Sequence, residues 1–168
     1  MKNRRTPMES FRRFLTFTVF AFWMGGFTFY ALVVIPTAYD VLGSHREVGF
    51  ITQQVTRWLN LSSLLALALL TWRFFVERVR HPSHSWRLPG ITLGIMFATQ
   101  IALFAEHPIL DRMLDGGTQG ISSHGQFYSW HRVYLLTAAA QWLAAIIHTW
   151  TLTRAPQSGT AAKGLRSE

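Results

Sequence analysis

FLTFTVFAFWMGGFTFYALVVIPTAY, residues 14–39, holds no charged side chain and is bounded by Arg13 and Asp40. About 20 apolar residues cross a bilayer as an α-helix, because the hydrocarbon core is roughly 30 Å thick and each helical residue rises about 1.5 Å. The stretch therefore predicts a membrane span. Three further runs read the same way. Trp58–Val76 is apolar except for Arg73, Leu88–Ala105 is uncharged up to Glu106, and Val133–Thr153 lies between Arg132 and Arg154 with His148 inside it. The second run is the least apolar and requires Arg73 to snorkel to the headgroups.

The expected fold is an all-α membrane protein, an antiparallel four-transmembrane-helix bundle. Its spans are residues 14–37, 56–76, 88–108 and 131–153, within a transmembrane domain of residues 1–154. Residues 155–168 read as a flexible cytoplasmic tail rich in Gly, Ser and Ala. The connections 40–56 and 106–131 are long enough to hold short interfacial helices.

Composition agrees. Only 14% of the 168 residues are charged, against about 25% in a soluble domain. The absence of cysteine excludes disulfides and thiolate chemistry. A net charge of +8 would point to nucleic acid in a soluble chain. Here the cations border apolar runs, so the expected partner is the lipid bilayer and not nucleic acid. The first run is also longer than the 7–15 apolar residues of a signal peptide and has no small-x-small cleavage site, which predicts a retained helix.

Lys and Arg counts set the orientation. The amino terminus, the connection between spans two and three, and the tail together carry twelve, whereas the other side carries four: Arg46, Arg57, Arg112 and Arg132. Both termini are therefore expected in the cytoplasm, an arrangement that fits a bacterial inner membrane.

Membrane helices associate through close packing and polar contacts, since lipid tails are as apolar as leucine. Span three has small residues at spacing four, Gly90, Gly94, Ala98 and Ala102, which predicts a close-packing face. At about 100° per residue, Tyr134, Thr137, Gln141 and His148 share a stripe of span four, flanked by Ala138, Ala144 and Ala145. Leu135, Leu136, Trp142, Leu143, Ile146 and Ile147 take the other side. In span three, Thr92, Thr99 and Glu106, and beside them Gln100 and His107, repeat at heptad spacing, with Leu93, Phe97, Ile101 and Phe104 opposite. Gln100 and Gln141 lie near mid-span, where each amide needs a partner and the two can serve each other.

Ionisable residues in membrane segments are the first candidates for function, and here they gather at the outer ends of the spans. Glu106 and His107 end span three, and His131 begins span four. Antiparallel packing would bring them to similar depth as a His-His-carboxylate set, a combination that suits zinc, copper or iron. An ion pair of Glu106 with Arg132 or His131 accounts for the same residues. Haem b between His107 and His131 is the other cofactor reading; His148 has no histidine at its own depth and reads as a hydrogen-bonded core residue. No cofactor is required by the sequence. Catalytic signatures such as GxSxG, a P-loop or GxGxxG before a helix are missing, and the Ser122–Ser123–His124 stretch reads as loop, so a non-enzymatic role is expected.

Trp23, Gly25, Gly26, Phe29, Val33, Val34 and Pro36 in the first span, with Phe127 and His131 separated by three residues at the start of the last, resemble the transmembrane protein 205-like family of four-helix membrane proteins. In that family the histidine is followed within the helix by Ser and then Asn; Tyr134 and Ala138 stand in those places here. The Trp-x-Gly-Gly opening is also similar to the copper-resistance D-type membrane domain. The first resemblance implies a membrane role linked in some members to metal or drug tolerance, no established reaction, and His131 as a site residue.

The leading reading is a multi-pass membrane protein that binds a partner or small solute in the outer half of the bundle. A metal- or haem-binding protein using the outer histidines is the alternative. A homo-oligomer or a subunit of a larger membrane complex, docking through the small-residue face of span three, is the third.

Overall fold

The computed structural model describes residues 7–115 and 124–153, and within them the regular elements are helices. The expected tail, residues 1–6 and the Ser122–Ser123 stretch lie outside the described residues. Helix α1 (Pro7–Phe29) runs through a π-helical turn (Tyr30–Val34) into α2 (Ile35–Leu42), and α3 (His45–Arg80), α4 (Arg87–Asp115) and α5 (His124–Thr153) follow. Four spans, α1 with α2, α3, α4 and α5, are long and apolar enough to cross a membrane. They form an antiparallel bundle with each predicted span inside a helix.

Pro36 explains the π-helical turn. It has no N–H to offer the carbonyl of Leu32, and its ring crowds that carbonyl. The chain widens one turn in response: the Ile35 N–H bonds the Tyr30 carbonyl, a step of five residues. Helix α2 then ends at Gly43, whose φ of 59° is left-handed, with the Gly43 N–H returned to the Tyr39 carbonyl at 3.0 Å.

Ser44 restarts the chain by accepting the Glu47 N–H at 3.4 Å, and Ser-x-x-Glu is a capping signature. The connection expected over residues 40–56 is thus a two-residue turn at positions 43 and 44. The polar residues around it ride on helices that outrun the apolar core. At 36 residues, α3 is about 54 Å long, well beyond the hydrocarbon thickness. Likewise α4 continues to Asp115 and α5 begins at His124, so helix takes up most of the connection expected over 106–131.

Helix α3 packs between α1 and α4, and α5 packs most extensively on α4. We call the end holding Pro7, residues 81–86 and Thr153 proximal, and the end holding Gly43 and residues 107–115 and 124–131 distal. The core of the proximal half is apolar, built from Trp23, Met24, Leu67, Leu70, Leu93, Met96, Ala144 and Ala145 among others. A second apolar group, Leu103, Tyr134 and Ala138, lies toward the distal half. The opposite faces expose Phe22, Leu32, Leu65, Ile101 and Leu136. An apolar belt of that extent is stable against lipid and not against water, so the chain is an integral membrane protein.

The polar stripe of α5 faces inward: Tyr134, Ala138, Gln141, Ala144, Ala145 and His148 are buried and Thr137 half-buried, while Leu135, Leu136, Leu143, Ile146 and Ile147 are exposed; Trp142, expected among the latter, is half-buried against the core. In α4, Phe97, Ile101 and Phe104 face outward, but Leu93 does not; it joins the core, because α4 is covered on two sides by α3 and α5. The small-residue ladder is not one continuous packing face: Gly90 and Ala102 are half-buried, and a Cβ on Gly90 would meet the Phe74 ring at 3.9 Å. Gly94 and Ala98 face outward, and a Cβ on Gly94 would meet nothing within 4 Å. Arg73 is buried where α3 packs on α1, with its guanidinium over the Phe17 ring at 4.7 Å.

Candidate solute-binding cavity

All four spans contribute walls to a cavity of about 400 Å³ in the distal half. Small-molecule sites run from about 300 to 1,000 Å³. Trp23, Phe27, Tyr30 and Tyr39 come from the first span, and Thr52, Thr56 and Asn60 from α3. His107 and Asp111 come from α4, and Phe127, His131, Tyr134, Ala138 and Gln141 from α5. The spacing accounts for this convergence. Thr52, Thr56, Asn60 and Ser63 recur every three or four residues on α3, as do Gln141, Ala138, Tyr134, His131 and Phe127 on α5, and each series therefore lies on one helical face.

A chain of side-chain hydrogen bonds follows the wall. At its floor the Gln100 Oε1 accepts from Gln141 Nε2 at 2.7 Å and from Ser63 Oγ at 2.6 Å, tying α3, α4 and α5 together. The Gln100 Nε2 reaches the Asn60 carbonyl at 3.4 Å. Asn60 Nδ2 donates to Tyr134 Oη at 3.3 Å. Nearer the mouth, His107 Nε2 lies 3.3 Å from Thr56 Oγ1, and its Nδ1 lies 2.9 Å from Asp111 Oδ2. Thr56 has one hydroxyl proton, and the Thr52 carbonyl at 2.7 Å is the nearer claimant. The Thr56 oxygen is therefore open to a donor. Below Gln141, the apolar packing of Leu67, Leu70, Met96 and Ala145 closes the floor. The cavity is a cup and not a passage.

His107 and His131 both line the cup, but Glu106 does not. It points to α5, where its Oε1 accepts from Thr137 Oγ1 at 3.2 Å, and its Oε2 has no hydrogen-bond partner. The ion pair expected with Arg132 or His131 does not form; one residue of helical rotation separates Glu106 from the face that carries His107. The His131 ring stacks on Phe127, with centroids 5.9 Å apart and planes 10° apart. Among the described residues no three His or carboxylate side chains gather as a metal set. His107 with Asp111 does form the carboxylate–imidazole unit that orients a metal-binding histidine through its second nitrogen. His148 lies at the other end of the bundle, fully buried, with Nδ1 at 3.0 Å from Thr92 Oγ1 and 3.1 Å from the Pro89 carbonyl, the core histidine that its sequence position predicted.

The sequence does not single out Asn60, Thr56 or Tyr30, and it offers Asp111 only as one of several ionisable residues in the connection after span three. The polar repeat on α3 was a usable signal for the first two, and the four-residue step from His107 for Asp111. Tyr30 had none, because the widened turn places it. Comparison with family models, curated proteins and solved structures gave no match for this chain.

Proposed function

We propose that the protein binds a small, ring-containing amphipathic solute in the distal cup. The carrying observation is the cup itself: a cavity of about 400 Å³, with aromatic walls and the imidazoles of His107 and His131 near its mouth. Flat apolar walls favour a ring body, and the imidazoles and the Tyr134 hydroxyl offer both donors and acceptors to its polar group. The same proposal places the distal end outside and both termini in the cytoplasm of a bacterial inner membrane, supported by twelve Lys and Arg on the proximal side against four on the distal. The likeness to the transmembrane protein 205-like family belongs with it, His131 being a wall residue. A homo-oligomer or a place in a larger membrane complex is compatible with the outward position of Gly94 and Ala98.

A metal or haem b held by the outer histidines is the second reading, and the His107–Asp111 contact of 2.9 Å favours it. One preparation separates the two. The protein purified in maltoside micelles is titrated with 2-naphthol by calorimetry and also measured for visible absorption and for copper, zinc and iron. Saturable binding is expected, reduced roughly tenfold by His131→Ala, a loss near 1.4 kcal/mol, and abolished by Ala138→Phe, which fills the cup. Binding that ignores Ala138→Phe would sink the solute reading. A Soret band, or near one metal per chain that disappears in His107→Ala, would carry the second.

A further inference from the structure

At the proximal end the α1–α3 seam buries more positive charge than it neutralises. Arg13 and Arg80 pair with Glu9 at 3.1 and 3.2 Å. Arg12 and Arg13 approach Glu77 Oε1 only to 3.7 and 3.6 Å, beyond good hydrogen-bond range. Arg73, one turn before Glu77 on α3, adds a fourth guanidinium to these two carboxylates, under the attractive field of Glu77 and the opposing fields of Arg13 and Arg12. Arg12 and Arg73 are only 8% and 4% exposed. Among the described residues, Arg12 Nε and Nη2, Arg13 Nε, and Arg73 Nε and Nη1 have no hydrogen-bond partner, and neither has the Glu77 Oε1 that the Arg12 and Arg13 guanidiniums approach.

A buried lysine or histidine can shed its proton, but a guanidinium does not. These donors therefore require an acceptor that is itself charged. We propose that the seam binds a phosphate-type oxyanion, held by Arg12, Arg13 and Arg73. Guanidinium forks match the oxygens of such a group in pairs, and a compact tetrahedral anion can meet forks arriving from two helices. The seam borders the membrane-facing surface, since Phe17, under Arg73, and Trp72, beside Arg12, are both substantially exposed. A phospholipid headgroup and free phosphate offer the same chemistry.

The test uses the full chain in maltoside micelles, which contain no phosphate. Thermal midpoints are followed while phosphatidylglycerol, diacylglycerol or inorganic phosphate is added. Saturating phosphatidylglycerol is expected to raise the midpoint by about 5 °C, whereas diacylglycerol does not. A matching rise with millimolar inorganic phosphate identifies the free anion as a sufficient ligand; a rise with the lipid alone identifies the headgroup. The response should vanish in Arg73→Gln. Glu77→Gln keeps every donor and removes the competing carboxylate, so it should lower the half-saturating concentration several-fold. No shift with either anion, an equal shift with diacylglycerol, or a Glu77→Gln protein that binds no more tightly would overturn the proposal.

Discussion

Gln100 shows how one polar residue organises a membrane bundle. Its Oε1 receives donors from α3 and α5 at 2.6 and 2.7 Å, so both lone pairs are used and three helices share one register. Each interhelical bond of this kind is worth about 0.6 kcal/mol and rarely above 1.7. Gln100→Ala should therefore cost about 1–2 kcal/mol, and a double-mutant cycle with Gln141→Ala should return a coupling near 0.6 kcal/mol, measured by unfolding in mixed micelles. A coupling of zero would mean that the two amides do not bond. The Gln100–Gln141 pair was legible from the sequence, because two amides at matching depth on antiparallel helices have few other partners in lipid. Glu106 was legible only as a candidate. Whether it joined His107 depended on a rotation of about 100° per residue around α4, and it turned to Thr137 instead.

Among the elements, the first span carries the decisive irregularity. Pro36 was visible as a helix interrupter, yet a proline can kink, break or widen a helix, and packing selects among these. Here the widened turn keeps the helix continuous and swings Tyr30 onto the cavity wall. Pro36→Ala lets the turn close to four-residue spacing, which rotates α1 relative to α2 by about 100°. The expected result is a helical protein by circular dichroism whose 2-naphthol affinity falls roughly tenfold. Unchanged affinity would show that Tyr30 is not placed by this turn. Helix α3 makes the complementary case. Its Ser44–Glu47 cap and its Thr52-to-Ser63 polar repeat were both written in the chain, whereas the burial of Arg73 required α1 to lie over it.

Over the whole molecule, an apolar floor separates two polar regions: the distal cup and the proximal arginine seam. The arrangement suits holding a ligand at either membrane face and does not provide a path between them. Orientation is directly testable, because the chain has no native cysteine to interfere. In intact cells, Ser123→Cys should react with an impermeant maleimide and Ser83→Cys only after permeabilisation; the reverse pattern would invert the assignment. The amino-acid sequence by itself determined the number of spans, the antiparallel plan and most inward faces. Lipid imposes length and apolarity on each helix separately, and 3.6-residue periodicity reports its faces without reference to neighbours. Only the tertiary structure decided that Glu106 and His107 part company, that Gly94 and Ala98 face outward, that Arg73 is enclosed, and that four walls leave a cup. Each of these depends on the rotation and separation of one helix against another, which arises from the packing of the assembled side chains and which no single helix encodes.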